Sequence, residues 1–112
     1  MSIIAKILLG TFLAIGVAAH LYGLLYHAFS EPDWSHVVHI ISYSLCLFTF
    51  LRPIKFRLLL YCIGAVYPFL YHANCFFVPL VKLHKFNSIC FQVIIVLPLA
   101  GLFILKQNRP AL

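Results

Sequence analysis

Four apolar stretches of membrane-crossing length fill nearly the whole chain, at about residues 3–26, 31–51, 56–80 and 88–105. Each runs for roughly 18 to 25 residues. A helix rising about 1.5 Å per residue then crosses a hydrocarbon core of about 30 Å. The connections, Ala28–Ser30, Arg52–Lys55 and Val81–Asn87, are too short for another domain and force neighbouring helices to run antiparallel. Strands are excluded, because four of them close no barrel and lipid tolerates no open sheet edge. Composition agrees. Of 112 residues, 64% are hydrophobic and only 9% charged, whereas a soluble domain carries roughly 25% charged residues. The expected fold is all-α: one integral-membrane, four-helix, up-and-down transmembrane bundle over residues 1–112, with the lipid bilayer as its principal partner.

Charge supplies the orientation. Lys6, Arg52, Lys55, Arg57, Lys106 and Arg109 fall on the side of the two termini, against Lys82 and Lys85 on the other. The positive-inside rule then places both termini in the cytoplasm and the chain in the cell (inner) membrane. The net charge of +6 is accounted for by these loop residues, and no nucleic-acid partner is expected. Arg52, Lys55 and Arg57 read as contacts to anionic lipid. Val17-Ala18-Ala19 resembles a signal-peptidase site. The weak charged region before it and the apolar residues beyond it argue for a retained first helix.

Local signals refine the bundle. Ser30-Glu31-Pro32-Asp33 predicts the start of the second helix, with Ser30 as cap and the two acids as dipole partners. Kinks are expected at Pro68 and Pro98. Gly10, Ala14 and Ala18 recur at four-residue spacing, as do Gly16 and His20 with Gly23 beyond, and small residues so spaced allow close helix approach. Leu25-Tyr26-His27-Ala28 recurs as Leu70-Tyr71-His72-Ala73, a match that the flanking residues do not extend. In size and topology the layout resembles small four-helix membrane proteins of the DoxX-like kind. That resemblance implies the bundle alone.

The chemistry lies in the histidines. All six fall in the half of the bundle away from the termini. In a hairpin, residues equidistant from the turn lie at similar heights. His20 and His39 are each about ten residues from the first tip, and His72 and Gln92 about ten from the second, roughly 8 Å or more below the helix ends at 1.5 Å per residue. One polar side chain from each helix is thus expected in a single layer. His20, His39 and His72 are the candidate metal ligands, with Gln92 at their height and His27 and His36 as outer ligands. Neutral imidazole is the commonest protein ligand for transition metals, and three with an open position suit a catalytic or transport ion. Two facing imidazoles could instead ligate haem. A structural hydrogen-bonded layer, proton handling and a quinone-like ligand are the competing readings. Interfacial His27, His36 and His84 are expected to be solvated.

Cys46 and Cys62 read as small packing residues, whereas Cys75 and Cys90, equidistant from the second turn, form a candidate disulfide. No nucleophile motif is present, and the only two carboxylates sit two residues apart. No catalytic residues are therefore expected. The leading functional reading is an accessory or assembly subunit contacting other membrane proteins. The alternative is a metal- or haem-binding protein built on the histidine layer.

Overall fold

The computed structural model describes residues 3–108, so Arg109, counted in the charge argument, lies outside the described residues. The chain forms α1 (Ile3–Tyr26), α2 (Asp33–Leu51), α3 (Arg57–Leu83) and α4 (Ser88–Asn108). All four are long and apolar enough to cross a membrane. The described residues contain no strand. The helices pack in sequence order, α1 on α2, α2 on α3 and α3 on α4, and α4 barely touches α1 or α2. The bundle measures 49 × 30 × 23 Å, matching a bilayer of about 40–45 Å with its headgroups. Its outward surface is covered with exposed large apolar side chains, such as Ile4, Leu25, Leu70 and Ile89. A patch of that extent suits hydrocarbon and not water.

Glycines let α2 lie close on its neighbours. A Cβ on Gly16 would stand 2.7 Å from the Tyr43 ring, and one on Gly23 would stand 2.5 Å from the His36 ring. On α3, a Cβ on Gly64 would approach the Ser42 carbonyl oxygen of α2 to 3.0 Å. The small residues flanking His20 are therefore where α1 accepts rings from α2. Leu13, Tyr43, Phe50, Tyr61, Leu97 and Ile104 fill the apolar core in the half nearer the termini, where the Tyr61 hydroxyl donates to the Leu97 carbonyl at 2.8 Å. Both α3 and α4 run continuously through their prolines, and α3 continues past Pro79 to Leu83.

Two local expectations are corrected. Ser30 does not cap α2. Pro32 occupies the N-cap with φ −68° and ψ 155° and offers no side-chain bond. Its ring fixes φ near that value, and its carbonyl accepts the Ser35 and His36 amides at 3.0 and 3.2 Å. Arg57 is not a lipid contact. Its side chain is buried and closes the end of α2. Nε donates to the Thr49 carbonyl at 2.5 Å, Nη2 donates to the Phe50 carbonyl, and Nη1 donates to Gln107 Oε1 at 2.9 Å. The last carbonyls of a helix lack intrahelical donors, and a cation there also complements the helix dipole. Arg52 and Lys55 remain exposed.

Candidate metal centre

The half of the bundle away from the termini encloses a cluster of imidazoles. His20 of α1 stacks on His39 of α2, with ring centroids 4.0 Å apart and planes 12° from parallel. His72 of α3 presents its edge to both, 5.2 Å from His39 and 6.2 Å from His20. Tyr67 and Tyr71 of α3 wall off His39 edge-on at 4.9 and 4.8 Å, and Tyr43 stacks beneath His20. His36, one turn above His39, is fully buried and meets His20 Nδ1 to Nδ1 at 3.0 Å.

Glu31 organises these rings. Its carboxylate is 7% exposed and accepts from the Ser35 hydroxyl at 2.6 Å and from His39 Nδ1 at 2.5 Å, both at Oε2. The Tyr67 hydroxyl lies 2.7 Å from the Ser35 oxygen. Since Ser35 gives its only proton to Glu31, Tyr67 donates to Ser35. Oε1 faces the other two rings, 3.5 Å from His20 Nδ1 and 3.7 Å from His36 Nδ1. Glu31 thus bonds side chains within the bundle and does not cap the helix. With Pro32 holding the N-cap, the residue before it turns inward.

The partners dictate the tautomers, because a carbonyl oxygen only accepts. His39 Nδ1 also contacts the Ser35 carbonyl at 3.0 Å, and His72 Nδ1 contacts the Pro68 carbonyl at 2.7 Å. Both Nδ1 atoms therefore carry hydrogen, and both Nε2 atoms carry lone pairs. His36 donates Nε2–H to the Ala28 carbonyl at 3.3 Å. Its neutral ring then accepts at Nδ1 from His20 Nδ1–H, and His20 Nε2 is also a bare lone pair. Among the described residues, buried His39 Nε2 has no hydrogen-bond partner.

His20, His39 and His72 each offer one ligand atom within 4.8 Å of the other two. His20, Glu31 and His36 form a second such set. Three neutral imidazoles, two of them holding Nδ1–H on carbonyl or carboxylate oxygens, are the arrangement that orients histidine toward a metal. A haem does not fit. Rings stacked at 4.0 Å are in van der Waals contact and leave no slot for a macrocycle.

The other sequence candidates lie elsewhere. Gln92 is exposed on α4 and does not join the layer. His27 is exposed and bonds Asp33 at 3.2 Å, and exposed His84 ends α3 in a left-handed conformation. All four cysteines are free thiols: Cys46 and Cys90 are buried, Cys75 is half-buried and Cys62 is exposed. Sequence reasoning read Glu31 only as a dipole partner and missed it as a site residue. It named His36 as an outer ligand but expected the ring to be solvated. The available signal was the i, i+3 pair His36-x-x-His39, continued along the Ser35, Ser42 and Cys46 face.

Comparison with protein-family models, curated proteins and solved structures finds no match. The fold and the site therefore define the class directly: a four-helix bundle with candidate membrane spans and a buried histidine group able to hold a metal.

Proposed function

We propose that this chain is a metal-handling membrane protein that binds one divalent transition-metal ion through His20, His39 and His72. One observation carries the reading: the lone pair of His39 Nε2 is buried without a donor beside two further imidazoles. Leaving a buried polar atom unpaired costs about 1–3 kcal/mol. A layer built only for packing would match each acceptor with a donor, but here the Nδ1 hydrogens are all spent on other partners. A cation would take up all three lone pairs once the stacked His20 and His39 rings tilt toward a common point, because a metal bond lies in the plane of the imidazole. Three imidazoles then leave water the fourth position of a tetrahedral ion, and Glu31 behind His39 supplies a compensating charge. Nitrogen donors favour zinc, cobalt(II) or copper(II) over magnesium or calcium. An accessory subunit without a ligand would leave the His39 nitrogen unexplained.

The test uses purified protein in detergent, stripped with chelator and titrated with cobalt(II) chloride. One cobalt per chain should survive gel filtration and give a visible absorption band. A chain that retains neither cobalt nor zinc would overturn the proposal.

The same reading places the site in the outer half of the cell membrane, with both termini cytoplasmic. The excess of basic residues at the end of the bundle that carries the termini supports this. Alkaline phosphatase fused after Leu112, active only outside the membrane, is expected to be inactive. An active fusion would reverse the orientation.

A further inference from the structure

The second donor set has a geometry of its own. His20 Nδ1, His36 Nδ1 and Glu31 Oε1 form a triangle with edges of 3.0, 3.5 and 3.7 Å. A tetrahedral ion with bonds of about 2.0–2.1 Å needs ligand atoms roughly 3.3–3.4 Å apart, so this triangle is near the required size. One proton, between the two imidazoles, now sits where a cation would sit. The triangle also lies nearer the α1–α2 connection than the three-histidine set. Glu31 lies in the α1–α2 connection and His36 in the first turn of α2, a full turn before His39. The Ala28 carbonyl, bonded to His36 Nε2, belongs to the same connection.

His20 belongs to both sets: Nδ1 meets Glu31 and His36, so in the tautomer assigned above Nε2 is the nitrogen left for His39 and His72. A neutral imidazole carries one ring hydrogen and so offers a lone pair at only one nitrogen at a time. With hydrogen on Nδ1, the lone pair lies on Nε2 and is the one left for the three-histidine set. With hydrogen on Nε2, Nδ1 faces Glu31 and His36.

We propose that Glu31, His36 and His20 form a loop-side station for a divalent transition-metal ion, which hands the ion to His39 and His72 by ligand exchange at His20. The inference rests on the metal-binding reading above and adds the route by which the inner set is filled. Loading at the outer station breaks the His20 Nδ1–H···Nδ1 link: water takes the Nδ1 hydrogen and returns one to Nε2, while the ion forms bonds to both Nδ1 atoms and Oε1. Transfer inward forms bonds from the ion to His39 Nε2 and His72 Nε2 as those to Glu31 Oε1 and His36 Nδ1 break. His20 then releases the ion from Nδ1, exchanges its hydrogen from Nε2 to Nδ1 through water, and rebinds the ion through Nε2. Because His20 serves one set at a time, the chain holds a single ion. His36 takes part in transit and is not a ligand in the final state.

The experiment follows cobalt(II) absorption after rapid mixing with metal-free protein in detergent. His36→Ala is expected to slow association roughly tenfold or more, the scale on which groups next to a metal site act. Dissociation should slow by a similar factor, leaving the equilibrium constant within about threefold. Where His36→Ala does not purify as a folded bundle, His36→Gln is read in the same way. It keeps an amide able to donate to Ala28 and loses the ring lone pair. Wild-type protein that binds cobalt while the variant loads at the same rate would sink the station and leave the three-histidine site standing. Two cobalt ions per wild-type chain would also sink it. No binding by wild-type protein would instead remove the metal reading itself.

Discussion

His39→Asn is expected to weaken cobalt(II) binding by at least about a hundredfold while the bundle stays folded. The asparagine amide can donate to Glu31 Oε2 and the Ser35 carbonyl, as His39 Nδ1–H does now, but it has nothing in place of Nε2. A structural zinc site contributes roughly 10–16 kcal/mol over four ligands, or about 3 kcal/mol for each. At 1.4 kcal/mol per factor of ten, losing one ligand costs on the order of a hundredfold. The smaller side chain leaves some space among Tyr67, Tyr71 and His20, worth about 1–2 kcal/mol of stability on the scale of modest core truncations. Calorimetric titration with cobalt, set beside a thermal melt followed by circular dichroism, separates the two effects. Unchanged affinity in a folded variant would remove His39 from the ligand set. A collapse of the melt with no metal effect in either protein would favour a structural polar layer.

Arg57→Ala is expected to cause the largest loss of stability, about 3–5 kcal/mol. Each buried carbonyl left without its donor costs about 1–3 kcal/mol, and Arg57 serves two of them as well as Gln107. The guanidinium satisfies two carbonyls in the last turn of α2 and also holds Gln107 near the end of α4. Truncation leaves both carbonyls without a donor and loosens the short α2–α3 connection. Arg57→Lys should recover less than half of the loss, because an ammonium group does not reproduce the planar fork that reaches three acceptors. Unfolding in mixed micelles as the fraction of denaturing detergent rises measures this. A change below about 1 kcal/mol for Arg57→Ala would show that the bonds are replaced by water or headgroups.

The histidine layer was legible because height in a hairpin follows from counting. Helices joined by short turns share an origin, and each residue adds the same rise. His20, His39 and His72 meet for that reason, and Gly16 and Gly23 marked the face of α1 that accepts rings. Counting fixes height but not azimuth. Gln92 was expected at the height of the layer, yet it is exposed on α4, which packs on α3 and barely touches α1 or α2. Glu31 was hidden by a different limit. The Ser-Glu-Pro-Asp spacing matches a helix start, and nothing local shows that Pro32 takes the N-cap and leaves Glu31 free to turn inward. His36 was named as an outer ligand, but its position near a helix end suggested solvent and hid its burial. The absence of a Cβ on Gly23 is what lets its ring sink against α1.

The amino-acid pattern by itself determined the class of fold, the number of helices, their bounds to within a few residues, and the level at which three histidines lie. Those features depend on local quantities: run length, hydropathy, turn length and rise per residue. Tertiary structure alone decided which side chains share a site and in what protonation pattern. Glu31 joins the imidazoles across eight residues of chain, Tyr67 reaches Ser35 across thirty-two, and Arg57 reaches Gln107 across fifty. Such contacts depend on helix rotation and on the close approach of particular backbones, which many distant residues set together. The unpaired nitrogen of His39 is a product of that packing, because only the completed bundle excludes every other donor from it.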